Sequence, residues 1–141
     1  MTYNAKDYKV VALRDIPMDG AACDTPERSA AYWRSAIPTH PFFNPECECL
    51  VALLLNTRQR VKGHAFIATG TLDSVSWHPR EVFRPAIVAA AHSVVLMHNH
   101  PSGDPTPSEA DQVLDHVVMG AASAERGGRD YTSLRERGYL Y

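Results

Sequence analysis

Ser93-Val94-Val95-Leu96-Met97-His98-Asn99-His100-Pro101-Ser102-Gly103-Asp104-Pro105-Thr106-Pro107-Ser108-Glu109-Ala110-Asp111 is the stretch around which the chain is organised. Its first five residues are an apolar run of the length of a short buried strand. Residues two apart on an extended chain project to the same side, so His98 and His100 can present their rings together. Three prolines, a Gly and an Asp within seven positions then make a braced turn. Ser108 stands where a helix N-cap belongs, and Asp111 falls in the first helical turn. Two imidazoles on a strand end and one carboxylate on a helix start can converge across that loop. Three protein ligands with a fourth position open is the arrangement of a catalytic rather than a structural zinc.

Upstream of this stretch, Cys49 to Asn56 is a continuous apolar run, as expected of a strand covered on both faces. Thr57-Arg58-Gln59-Arg60 is a polar turn, and Val61 to Thr69 reads as the return strand of a hairpin. A short edge segment is expected at Val75-Ser76-Trp77. A helix is expected from Pro79 to Ala91, with Val82, Phe83, Ala86, Ile87, Ala90 and Ala91 on its apolar stripe. Nearer the N-terminus, Tyr8 to Arg14 is a candidate strand. Asp24-Thr25-Pro26-Glu27 starts a helix running to about Ile37, with a cap, Pro at the first helical position and an acid in the first turn. Pro38 ends it, and Thr39 to Pro45 reads as an extended connector. Beyond the histidines, Val113 to Met119 is a further candidate strand and Leu134 to Gly138 a short helical turn. Strands and helices alternate with no internal repeat, so the expected architecture is a single α/β layered domain.

A chain of 141 residues with 45% hydrophobic and 21% charged residues can hold one core of ordinary composition. The net charge of −2 provides no global cationic field to gather nucleic acid. No apolar run approaches the roughly 20 residues needed to span a bilayer, and residues 1–6 lack the apolar core of a secretion signal. Three cysteines, Cys23, Cys47 and Cys49, are too few and odd in number for a disulfide framework, which fits a reducing, cytoplasmic setting. Cys47-x-Cys49 has no second Cys pair and reads as semi-buried strand residues.

His98-x-His100, seven residues, Ser108, two residues, Asp111 resembles the JAMM metalloprotease signature, and the string HNHPSGDPTPS is similar to the RadC branch of that family. Leu50 to Asn56, Gly70-Thr71-Leu72, His78 to Phe83 and Asp115 to Gly120 fit the same branch. The resemblance covers residues 45–141 and leaves 1–44 as a strand–helix extension. It implies a JAMM/MPN fold, related to that of the cytidine deaminases, with a mixed β-sheet flanked by helices. It implies Zn2+ on His98, His100 and Asp111, with Glu48 as general base at the mouth of the 49–56 strand. Glu46 is the competing carboxylate, since it points the same way on an extended chain. Ser108 would hydrogen-bond the oxyanion of the tetrahedral intermediate, a role compatible with capping. Likewise, a first-turn Asp111 favours the helix dipole whether or not it binds metal. Both histidines must be neutral to bind, so acid should strip the cation.

The implied activity is metal-assisted hydrolysis of a peptide or isopeptide bond in an unidentified protein or peptide substrate. The alternative is a DNA-repair accessory protein of the RadC type without protease activity. The deaminase signature, H-x-E with P-C-x-x-C, is absent. His40, His64, His92 and His116 lack metal spacing and are left unassigned.

The chain departs from the family pattern twice. Roughly four to five helical turns expected after Asp111 are absent, since Asp111-Gln112 runs directly into Val113-Leu114-Asp115-His116. Either the helix is deleted or a segment has dropped out of the sequence at this junction, and the intact strand pattern beyond it favours the second. The helix-hairpin-helix module usual at the N-terminus of RadC proteins also has no counterpart in residues 1–44, as expected of a stand-alone version.

Overall fold

The apolar run after Glu48 becomes the middle strand of a three-stranded sheet. In a computed structural model, residues 22–70, 78–104, Thr106 and Glu109 are described. Helix α1 (Pro26–Ala36) leads into a 3-10 turn (Ile37–Thr39). Strands β1 (Cys49–Leu55) and β2 (Val61–Thr69) form the hairpin, and helix α2 (Pro79–Val88) leads to β3 (Ser93–His98). The sheet order is β2-β1-β3 and both pairings are antiparallel. A small α/β domain is therefore present. The expected mixed sheet is antiparallel among the described strands. The candidate strands at 8–14 and 113–119, the edge segment at 75–77 and the turn at 134–138 lie outside the described residues.

All seven residues of β1 are buried because each face of the sheet carries a helix. Side chains alternate along a strand, so Val51, Leu53 and Leu55 turn to one side with Val95, Met97 and Phe66. There they meet Tyr32, Ala36 and Ile37 of the α1 segment. Leu50, Ala52 and Leu54 turn to the other side with Leu96 and Val94, and meet Phe83 and Ala86 of α2. Leu53 has no exposed surface and lies at the middle of this stack, opposite both His64 and Val95. Leu53→Ala should cost about 2–5 kcal/mol of unfolding free energy. Urea denaturation would show it as a lower midpoint with an unchanged slope.

The start of α1 matches the expectation: Thr25 caps it, accepting from the Arg28 N–H at 3.3 Å, with Pro26 at the first position and Glu27 in the first turn. Two expectations are corrected. Residues 39–45 are not extended. His40 N donates to the Ile37 carbonyl and Phe43 N to that of His40, folding the connector into consecutive turns. Helix α2 stops at Val88 rather than Ala91. Ala90 adopts φ 48°, with its N–H on the Ile87 carbonyl and the Ala91 N–H on the Ala86 carbonyl. That is a left-handed helix stop of the kind glycine usually makes, here carried by alanine. Among the described residues no helix is long and apolar enough to cross a membrane.

Candidate metal centre

Strand β3 delivers its last residue, His98, into the interior. His98 has no exposed surface and pairs with Leu50, so it lies on the α2 side of the sheet. Two residues on, His100 comes to the same side. The two Nε2 atoms stand 2.9 Å apart, with ring centroids at 4.7 Å and planes at 42°. With neutral rings, one Nε2 must donate and the other accept, since two N–H groups cannot face each other. Two nitrogens bound tetrahedrally at Zn–N distances of about 2.0–2.1 Å lie about 3.3 Å apart. The observed pair is within a few tenths of an ångström of that spacing, so the two imidazoles fit a shared divalent cation.

The turn after the histidines holds them at the strand mouth. Gly103 N donates to the His100 carbonyl at 2.9 Å, closing a turn with Pro101 at its second position and Gly103 at φ 79°. Thr106 N then donates to Asp104 Oδ1 at 2.9 Å, a side-chain turn of the kind Asp favours. That backbone bond, with the Thr106 hydroxyl, holds the Asp104 carboxyl below its ordinary range.

On the neighbouring strand, Glu48 immediately precedes β1 and is only 6% exposed. Alternation along the chain puts Glu48, two places before Leu50, on Leu50's side of the sheet, and Leu50 pairs with His98. Its competitor Glu46 is exposed. It sits in a turn where its N–H donates to Asn44 Oδ1 at 3.0 Å. Of the two carboxylates, Glu48 is the buried one.

Ser108 and Asp111 lie outside the described residues. Among the described residues no cluster of three possible ligands is assembled. What the structure brings together is therefore the two histidines.

On an extended chain Asn99, between the two histidines, points to the side opposite them. Its Oδ1 accepts from Cys49 N–H at 2.8 Å and from the Cys49 thiol at 3.0 Å, and its Nδ2 donates to the Cys47 carbonyl at 3.0 Å. Burial first, then the charges of Glu48 and Cys47, push the Cys49 thiol up to about 12. Its folded pKa thus lies above the ordinary thiol value. Stability is full below that value and falls as pH rises towards 12, because the unfolded thiol ionises first. Denaturation midpoints followed from pH 8 to 10.5 should fall more steeply for the wild type than for Cys49→Ser. Parallel curves would remove the effect.

A second group of rings escaped the sequence reading. Tyr32 Oη and His64 Nδ1 are 2.6 Å apart, and His40 stacks on Phe66 at 4.1 Å. His64 and Phe66 pair with Leu53 and Val51, so this group faces α1, across the sheet from His98.

Comparison with known proteins bears on the same residues. The family model described as "RadC-like JAB domain" matches residues 23–124. A UPF0758 protein of Symbiobacterium thermophilum is 45% identical over 104 residues, covering 62% of this chain and 42% of that protein. One from Chlorobaculum parvum is 44% identical over 109 residues, covering 66% and 46%. One from Rubrobacter xylanophilus is 42% identical over 113 residues, covering 69% and 46%. The chain spans less than half the length of these relatives. In the first of them, 62% of 141 residues is about 87, so about 17 of the 104 aligned positions have no counterpart here.

Proposed function

The chain belongs to the RadC-like JAB domain family, and from that premise we propose that it is a metal-dependent hydrolase that cuts a peptide or isopeptide bond with activated water. The observation that carries the reading is the convergence of the His98 and His100 Nε2 atoms, 2.9 Å apart, with Glu48 buried just before the neighbouring strand. His98 and His100 would hold the cation, with Asp111 as third ligand, and zinc is the cation that suits two imidazoles and a carboxylate. When bound, such a cation supplies Lewis acidity, lowering the pKa of a water towards about 7.

The chain's own groups supply the rest. The Glu48 carboxylate takes a proton from the attacking water and delivers it to the departing amide nitrogen. That nitrogen cannot leave as an anion, so the transfer is needed for the bond to break. The Ser108 hydroxyl would donate to the carbonyl oxygen as it gains negative charge. No residue forms a covalent bond with substrate.

The test is a metal count on the purified protein, then cleavage assays on peptide and isopeptide-linked substrates before and after chelation. Cleavage lost on chelation and restored by zinc is the expected result. Full zinc loading without cleavage of any substrate would overturn the hydrolase reading. Salt-sensitive DNA binding in its place would favour the accessory reading.

A further inference from the structure

The carboxamide between the two histidines reaches across the sheet to the two residues that flank Glu48. Asn99 Nδ2 donates to the Cys47 carbonyl, and Asn99 Oδ1 accepts from the Cys49 N–H. The backbone ladder of β1 and β3 ends at Leu50↔His98, so from Asn99 onward a side chain continues the pairing. We propose that Asn99 is a positioning residue of the metal centre, holding the His98–His100 pair at a fixed distance from the Glu48 carboxylate. The proposal rests on the metal-dependent reading given above.

Three features support it. The amide has one possible orientation. A flip would set its NH2 against the Cys49 N–H and thiol, two donors, and would leave the Cys47 carbonyl facing an oxygen. The second donor is constant, because a thiol with its pKa raised to about 12 stays protonated across the physiological range. The clamp also acts on both sides of the proposed centre at once. Its anchor lies between two imidazoles, and its two contacts bracket one carboxylate on a strand about 50 residues away. Reacting groups misplaced by about 1 Å can lose about 10²-fold in rate. A clamp on the main chain either side of Glu48 limits that displacement without touching substrate.

Asn99 is half-buried, so its replacement should leave a folded protein. Asn99→Ala removes the clamp. Asn99→Gln keeps the polarity but carries the amide one methylene out of register, and decides the matter if the alanine variant fails to fold. The probe is Co2+, titrated into metal-free protein and followed by its visible absorption. Both variants should bind Co2+ about 10–100-fold more weakly than wild type, the usual cost of losing a group that orients ligands. The amide of Cys49 should also exchange faster with solvent in the metal-free protein.

A purely structural role would lower the unfolding temperature and leave Co2+ affinity unchanged. Affinities within threefold of wild type in both variants, alongside a wild type that binds Co2+, would overturn the proposal and leave the hydrolase reading standing. A wild type that binds no Co2+ would overturn both. Tight Co2+ binding sensitive to Asn99, with no cleavage of any substrate, would keep the positioning role and remove the hydrolase.

Discussion

Glu48→Gln is expected to lower amide hydrolysis by about 10²–10⁴-fold, the span of a lost general acid–base group, while zinc content stays at the wild-type level. The two halves of this expectation are separable because Glu48 is assigned to moving a proton and the histidines to holding the cation. Glutamine keeps the shape of the side chain and loses the basic oxygen. The residue is 6% exposed, so a change of shape there would confuse packing with chemistry, and glutamine avoids it. Loss of the charge can be read without any substrate. The Glu48 carboxylate is one of the causes that raise the Cys49 thiol, so Cys49 should titrate lower in the variant. Glu46→Gln is the control, since Glu46 is exposed in a turn and its loss should leave turnover within a factor of about two. If Glu48→Gln retains more than a tenth of wild-type turnover, the general base lies elsewhere.

What could be read in advance was what depends on near neighbours in sequence. The period-two placement of His98 and His100 and the continuous apolar run of β1 are local patterns. So are the Thr25-Pro26 helix start and the polar turn before β2, and each gave the observed element. The misses share a different cause. The early stop of α2 depends on Ala90 taking a left-handed conformation, which an alanine does not advertise. The folded connector depends on turn bonds through His40, Phe43 and Asn44, where the sequence reads as extended. The contrast between buried Glu48 and exposed Glu46 depends on the turn at Asn44. The Asn99 clamp joins residues about 50 positions apart, and no periodicity reports such a contact. Asp111 and Ser108, legible from the motif, fall outside the described residues. The shortfall of about 17 aligned positions in one relative is of the size of the four to five helical turns that the family pattern leads one to expect after Asp111.

The second large effect concerns the cation itself. His98→Ala is expected to weaken zinc binding by about 10²–10³-fold. Apparent affinities of structural zinc sites correspond to about 10–16 kcal/mol over four ligands. One ligand then accounts for about 3–4 kcal/mol, and each 1.4 kcal/mol is a factor of ten. Because His98 ends a core strand with no exposed surface, its truncation also leaves a cavity and lowers stability directly. Stability alone therefore cannot report the metal, and the measurement must be a difference. A cation that binds only the folded state adds stability of about 2.7 kcal/mol at a hundred times its dissociation constant. Zinc should thus raise the unfolding temperature of the wild type by several degrees, and chelation should reverse the shift. For His98→Ala, at the same zinc concentration, a dissociation constant 10²–10³-fold larger places the protein near or below half saturation. The added stability then falls to about 0.4 kcal/mol or less, a shift close to the noise of a melting curve. His100→Ala should behave alike, with a smaller loss of basal stability because His100 is only half-buried. Equal zinc-induced shifts in the wild type and both variants would place the cation elsewhere in the chain.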